Sequence, residues 1–247
     1  VTYNEDKTFV DVKKSGHYGI RPMITINGNN EILDGNGTVA DPYVFNDVTP
    51  AVGGEYLNTR LTGEYVMIGG LLFRIIDVEK DGTTKVIAMS TLYDRTSNVL
   101  VAYDNDPTVY NPNKNRNIGS QINNQTSKYL DSSYFVNHKI TVPIYEKELS
   151  YGKEIDKKEY TVKFSAPNMF EIFSAYDGYT EKMGSFWYTN SSKTTGYCGA
   201  VYDAGSTVND TIPYGRGFGI RPVAFVTKKA IITSGDGTMN SPYVIKK

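Results

Sequence analysis

Residues 19–45, GIRPMITINGNNEILDGNGTVADPYVF, return in outline as residues 219–245, GIRPVAFVTKKAIITSGDGTMNSPYVI, without a gap and 200 positions later. Eleven residues are identical across that offset: Gly19, Ile20, Arg21, Pro22, Ile32, Gly35, Gly37, Thr38, Pro42, Tyr43 and Val44. The mismatches keep local character, since Ile26/Val226 and Phe45/Ile245 remain strand formers and Asn36/Asp236 remain turn formers. The pattern reads as a hairpin-like unit. A strand opens at the Arg-Pro step, and a second apolar stretch enters Asp34-Gly35-Asn36-Gly37 or Ser234-Gly235-Asp236-Gly237. Paired glycines supply the positive-φ positions of a tight turn. A last strand runs through Pro-Tyr-Val, the proline being tolerated only at a strand start or edge.

Self-similarity at long period marks tandem modules. Residues 1–48 therefore read as the closing hairpin of a preceding, truncated module, and residues 49–247 as a complete one. Val1 reads as an internal starting point. Asn46-Asp47-Val48-Thr49-Pro50, followed by Gly53-Gly54, has the composition of a linker.

Composition narrows the function classes. Lys and Arg total 26 against 27 Asp and Glu, for a net charge of −1, which gives no support to a nucleic-acid partner. No apolar run reaches the roughly 18 residues of a membrane span, so no membrane insertion is expected of this fragment. A single cysteine, Cys198, excludes an intrachain disulfide and a thiolate metal cage. His17 and His138 are too far apart in sequence to predict a multi-histidine metal site, and no cofactor is expected. Twenty tyrosines against ten phenylalanines, in a background of Asn, Ser, Thr and Gly, fit an exposed protein with amphipathic contact area. Tyr-rich strands are the alternative explanation.

Within the complete module, residues 63–78 predict two strands joined at Gly69-Gly70, and 84–89 a third after a turn at 80–83. Residues 94–116 read as a long surface loop, about 118–130 as a helix facing inward through Ile118, Ile122, Tyr129 and Leu130, and 139–145 as a strand. The charged run 146–159 reads as a solvated excursion and 160–164 as a strand. Ser165-Ala166-Pro167 starts a short buried helix carrying Met169, Phe170, Ile172, Phe173 and Tyr176. Residues 186–223 hold two or three short strands.

The order of these pieces carries a resemblance: the pair YVMIGGLLFRIIDV, the helix NIGSQINNQTSKYL, then KFSAPNMFEIF, FWYTNSS, GYCGAVYDAG, and the closing GIRPV and SGDGT…PYVI. It resembles the uncharacterised C-type-lectin-like modules of Gram-positive bacterial surface and pilin-like proteins, over about residues 60–247. The resemblance implies an α+β fold of mainly small antiparallel sheets with about two helices, termini close together and variable Tyr-rich loops. It also implies an extracellular, cell-surface location. Enzymes of that fold class need paired cysteines or a histidine-rich site, which this chain lacks, so a non-enzymatic module for adhesion, display or assembly is expected. The alternatives are a glycan-binding lectin and a structural pilin or stalk spacer. Its partners would be a protein or glycan at the cell surface and neighbouring modules of the same chain.

The ligand-binding candidates are Trp187, Tyr188, Asn190, Tyr197, Tyr202 and Tyr214, aromatics that can stack on sugar rings or meet a protein, with a nearby carboxamide. Arg21, Arg221 and Arg74 read as structural braces. Asp34, Asn36 and Asp236 are weak metal candidates in Gly-rich turns, where the turn itself explains them. Cys198 reads as a small buried hydrophobe.

Overall fold

The computed structural model describes residues 2–3, 9–10, 32–38, 41, 43–45, 53–94, 97–105, 109–146, 154–175, 185–192, 197–202 and 207–247. The chain divides into two compact units, Val1–Thr49 and Pro50–Lys247. In the first, β1 (Thr2–Tyr3) pairs antiparallel with β2 (Phe9–Val10), and β3 (Ile32–Asp34) with β4 (Val44–Phe45). Among the described residues each pair is a two-stranded sheet. Arg21 lies outside the described residues.

Among its described residues the second unit is mainly β with two α-helices. In chain order its elements are β5 (Tyr65–Ile68), β6 (Leu71–Val78), β7 (Thr84–Ala88), β8 (Tyr93–Asp94), β9 (Ser97–Asn98), β10 (Leu100–Ala102), α1 (Ile118–Tyr129), β11 (His138–Tyr145), β12 (Glu154–Val162) and β13 (Phe164–Ser165). Then follow α2 (Met169–Ser174), β14 (Phe186–Ser192), β15 (Tyr197–Tyr202), β16 (Thr207–Pro213), β17 (Gly217–Gly219), β18 (Val223–Val226), β19 (Ile231–Ser234) and β20 (Tyr243–Lys246). One seven-stranded sheet runs β13-β18-β7-β6-β5-β20-β19. The other runs β10-β17-β14-β11-β12, with β15 on β14 and β16 on β15.

Local chemistry accounts for the main elements. Gly69 and Gly70 have φ of 60° and 80°, the two left-handed positions of a primed turn, and they join β5 to β6 with Ile68 opposite Leu71. The Asn117 carboxamide starts α1 by accepting from Gly119 N at 3.0 Å, and it donates to the buried Asp104 carboxylate at 2.8 Å. Asn168 and Glu171 exchange side-chain-to-backbone bonds of 2.9 and 2.8 Å, a reciprocal cap that starts α2. Glu171, itself buried, then meets Lys85 Nζ on β7 at 2.6 Å.

Several sequence expectations differ from the structure. The run 146–159 is a strand from Glu154 onward, paired with β11, where the sequence predicted a solvated excursion. Its charges stand on an exposed edge strand, so no apolar alternation marked it. Residues 94–116 contribute β9 and β10 where a loop was expected, because β10 finds β17 more than a hundred residues away. On α1 the buried positions are Ile118, Ile122 and Thr126, while Tyr129 faces outward, and on α2 Phe170 is 76% exposed.

The segment Ile220-Arg221-Pro222 carries the chain from β17 in one sheet to β18 in the other. Leu92 N donates to Ile220 O at 2.8 Å and Ala88 N to Pro222 O at 2.9 Å, so the crossing is itself laddered. Arg221 is fully buried there. Its Nε donates to Ala88 O at 2.6 Å and its guanidinium lies 5.1 Å from the Phe186 ring centroid. A flat, forked guanidinium can stack and bond at once, whereas an ammonium cannot. Arg221→Lys is therefore expected to destabilise the second unit by about 2 kcal/mol or more, the loss of a charged hydrogen bond in a buried place, read as a lower urea midpoint.

Candidate functional site

The repeated hairpin folds twice into one geometry. Ile32 faces Phe45 and, after a bulge, Asp34 faces Val44; Ile232 faces Ile245 and Ser234 faces Val244, the same register 200 positions on. Gly35 and Gly235 have φ of 87° and 88°, Gly37 and Gly237 81° and 79°. Gly37 N donates to Asp41 O and Gly237 N to Ser241 O at 3.0 and 3.1 Å. A methyl group on either second glycine would lie 2.6 Å from the ring of Tyr43 or Tyr243, so each ring covers a glycine. The side chains of Asn36 and Asp236 accept from the N–H of Thr38 and Thr238 at 3.0 and 2.9 Å. That bond, with a second from the Thr238 hydroxyl, holds the Asp236 carboxyl below the usual carboxylate range.

Of the three weak metal candidates, Asn36 and Asp236 thus serve two separate turns. Asp34 is placed only as a β3 residue, its side chain outside the described atoms. Among the described residues no three His, Cys, Asp or Glu side chains gather to hold a metal ion.

In the second unit the hairpin is gripped along both edges by residues 54–67. On the β19 edge, Gly54 N donates to Ile232 O at 2.6 Å, Ile232 N to Glu55 O at 2.7 Å and Leu57 N to Ala230 O at 2.9 Å. On the other edge β20 pairs in parallel with β5, Tyr243 opposite Val66 and Val244 opposite Met67. Tyr243 is fully buried. Its hydroxyl receives Arg60 Nε at 2.9 Å and donates to Glu64 Oε1 at 3.1 Å, and Arg60 also bonds Glu64 at 2.9 Å. Burial and the Glu64 carboxylate both push the Tyr243 phenol up, so it stays protonated and able to donate. Burial alone would disfavour charge on Arg60, but Glu64 outweighs it and raises the guanidinium pKa. Sequence reasoning missed Arg60 and Glu64; an Arg and a Glu four residues apart at a turn are too common to mark a clamp.

The aromatic candidates divide. Trp187 and Tyr188 are each 1% exposed and point to opposite faces of β14. Trp187 donates Nε1–H to Val101 O at 2.8 Å and packs edge-on against Tyr103 and Phe218, with centroids at 5.4 and 4.7 Å. Tyr188 lies against Gly199 and among Phe186 and Val201. Both side chains are core in this structure and present no face to a ligand. A strand covered on both faces reads as one continuous apolar run, which explains the FWY sequence. Tyr214 is half-buried, its carbonyl accepting from Tyr103 N at 2.9 Å. Asn190 lies on β14, and Tyr197 and Tyr202 bound β15; their side chains lie outside the described atoms. Arg74, half-buried, donates to Gly63 O and Ala175 O, both at 3.1 Å. A depression of about 330 Å³ is lined by Gly69, Gly70, Leu71, Ser90, Thr91, Leu92, Tyr129 and Leu130, with no carboxylate, lysine or histidine to converge on a substrate.

Cys198 is fully buried, and burial, then the nearby Asp104 charge, push its thiol pKa up. Comparison with protein-family models, with curated proteins and with solved structures gives no match.

Two outcomes follow for the bench. Tyr243→Phe removes a hydroxyl shared by two buried partners and is expected to lower the stability of the second unit by about 1–3 kcal/mol, whereas Tyr43→Phe stays within about 0.5 kcal/mol. Urea melts of both variants compare them directly. Iodoacetamide at pH 8 should label Cys198 only as fast as the second unit unfolds, so labelling should accelerate through the urea transition and be negligible well below it.

Proposed function

We propose that the chain is part of a non-enzymatic extracellular surface protein built of tandem modules that serve adhesion, display or assembly. The observation that carries this reading is the hairpin of residues 32–45, which reproduces the closing hairpin 232–245 in register, bulge and turn. Two copies of one closing device in a chain are what a tandem array provides, each repeat contacting its neighbours. The C-type-lectin-like assignment belongs to the same proposal. It is supported by the mixed small sheets, the two helices, and the stitching of residues 54–57 to 230–232, which brings the ends of the second unit together. A surface location rests on the Tyr-, Asn-, Ser- and Gly-rich composition and on the resemblance.

Binding, where the module binds, falls to the Tyr-rich stretches 94–116 and 176–217. The burial of Trp187 and Tyr188 takes two of the five aromatic stacking candidates of a lectin into the core and favours the assembly or spacer role. Partners are then neighbouring modules of the same kind before any glycan.

Protease treatment of intact cells that make the protein tests the location. Peptides of residues 50–247 should be released before any cytosolic marker; release only after lysis overturns the surface reading. The modular half has its own measurement. Pro50–Lys247 expressed alone should unfold in one cooperative transition at the urea midpoint of the second unit in the full chain. A fragment that is unfolded without residues 1–49 overturns it.

A further inference from the structure

The two hairpins share a backbone and differ in what covers them. Ile232 and Tyr243 are 0% exposed, whereas their counterparts Ile32 and Tyr43 are 52% and 51% exposed. The difference has an identifiable source in the second unit. There, residues 54–57 bond one edge of the hairpin, β5 bonds the other, and Arg60 with Glu64 close over the tyrosine hydroxyl. Among the described residues, the strands of the hairpin β3–β4 pair with each other.

A pair of strands alone is marginal in water, and its outer edges are templates for further strands. In the second unit, the backbone of residues 54–57 and of Val66–Met67 is already paired with β19 and β20, so covering another hairpin in the same way would mean surrendering this one.

We infer that residues 32–45 form a docking edge for a separate module body that lacks a closing hairpin of its own. The docked segment carries the pattern of residues 60–68: an Arg, a Glu four residues later, then an aromatic and apolar strand. That strand pairs in parallel beside Val44, its Arg and Glu take the Tyr43 hydroxyl, and its core receives Ile32. This inference rests on reading 32–45 as a module's closing hairpin, and it adds the partner, the register and the side chains that recognise it. Affinity comes from the backbone ladder, and selectivity from the buried Tyr-Arg-Glu contact, which rejects a strand unable to satisfy the hydroxyl. A second copy of the whole chain is the wrong partner, because its 60–68 segment is already filled.

An exchange inside the full chain tests the match. The fourteen residues Ile232–Ile245 are replaced by the sequence of Ile32–Phe45, which has the same length. If the two hairpins accept the same partner segment, the second unit folds with its urea midpoint within about 0.5 M of the parent. A further Tyr→Phe change at position 243 of the exchanged chain should lower the midpoint as far as Tyr243→Phe lowers it in the parent. A second unit that fails to fold, or one insensitive to that change, overturns the inference. Sedimentation equilibrium of the parent chain up to about 0.3 mM should report a monomer; a dimer abolished by Tyr43→Ala overturns the partner assigned, in favour of a second copy. Neither measurement bears on cellular location or on whether Pro50–Lys247 folds alone, so the inference and the functional reading can fail separately.

Discussion

The Tyr243 hydroxyl, bonded to Arg60 and Glu64, fastens the last strand of the second unit to its first turn. The partners are 183 and 179 residues apart in sequence. Closing so long a loop carries an entropic penalty that no single hydrogen bond offsets, and here the penalty is shared with other contacts. The β5–β20 ladder and the bonds from residues 54–57 to 230–232 form at the same place. The ring also covers Gly237, so the turn, the ladder and the polar clamp meet at one tyrosine. The remaining strands of that sheet build outward from this closure, since β6, β7 and β18 are added in turn from β5.

The second constraint is the crossing at Ile220-Arg221-Pro222. The chain must leave one sheet and enter the next without abandoning backbone polar groups in the core, and the Ile220 and Pro222 carbonyls do so by accepting from the N–H of Leu92 and Ala88. A buried guanidinium at the crossing serves as a rigid spacer that also satisfies the Ala88 carbonyl. Two apolar clusters lie on either face of β14. Trp187, Cys198 and Ala200 point into one, and Phe186, Tyr188 and Val201 into the other. Composition alone cannot report that an aromatic-rich strand is covered on both faces.

Much of the fold was legible where the signal is local. Gly69-Gly70 prescribes its turn, Asn117 and the Ile118/Ile122 spacing prescribe α1, and the glycine pairs of the repeat prescribe their own conformation. Pairing across long separations left no such trace. Nothing in Leu100–Ala102 points to Gly217–Gly219, and the charged strand Glu154–Val162 has no apolar face to announce it. Of the candidate site, the repeat was visible as identity, but the clamp was not. Arg60 and Glu64 become meaningful only when the fold delivers Tyr243 to them. The placement of Trp187 and Tyr188 likewise depended on β11, β15 and β17 closing around β14.

The repeat separates what a sequence fixes locally from what it obtains from its neighbours. Register, bulge and four glycine torsions agree between residues 32–45 and 232–245 although one hairpin has its isoleucine and tyrosine in a core and the other does not. Turn geometry is thus encoded within about fourteen residues by Gly, Asx and Thr side chains that bond their own backbone. Burial is not encoded there. It is contributed by a segment that begins with Gly54 and ends with Ile68, far from the hairpin in sequence. A closing element with fixed shape and outsourced burial can be matched to any body that presents the same strand and clamp, because geometry need not be renegotiated at each contact. On the modular reading proposed above, modules could diverge in their loops while keeping this closure, provided the tyrosine, the paired glycines, the arginine and the glutamate are kept together.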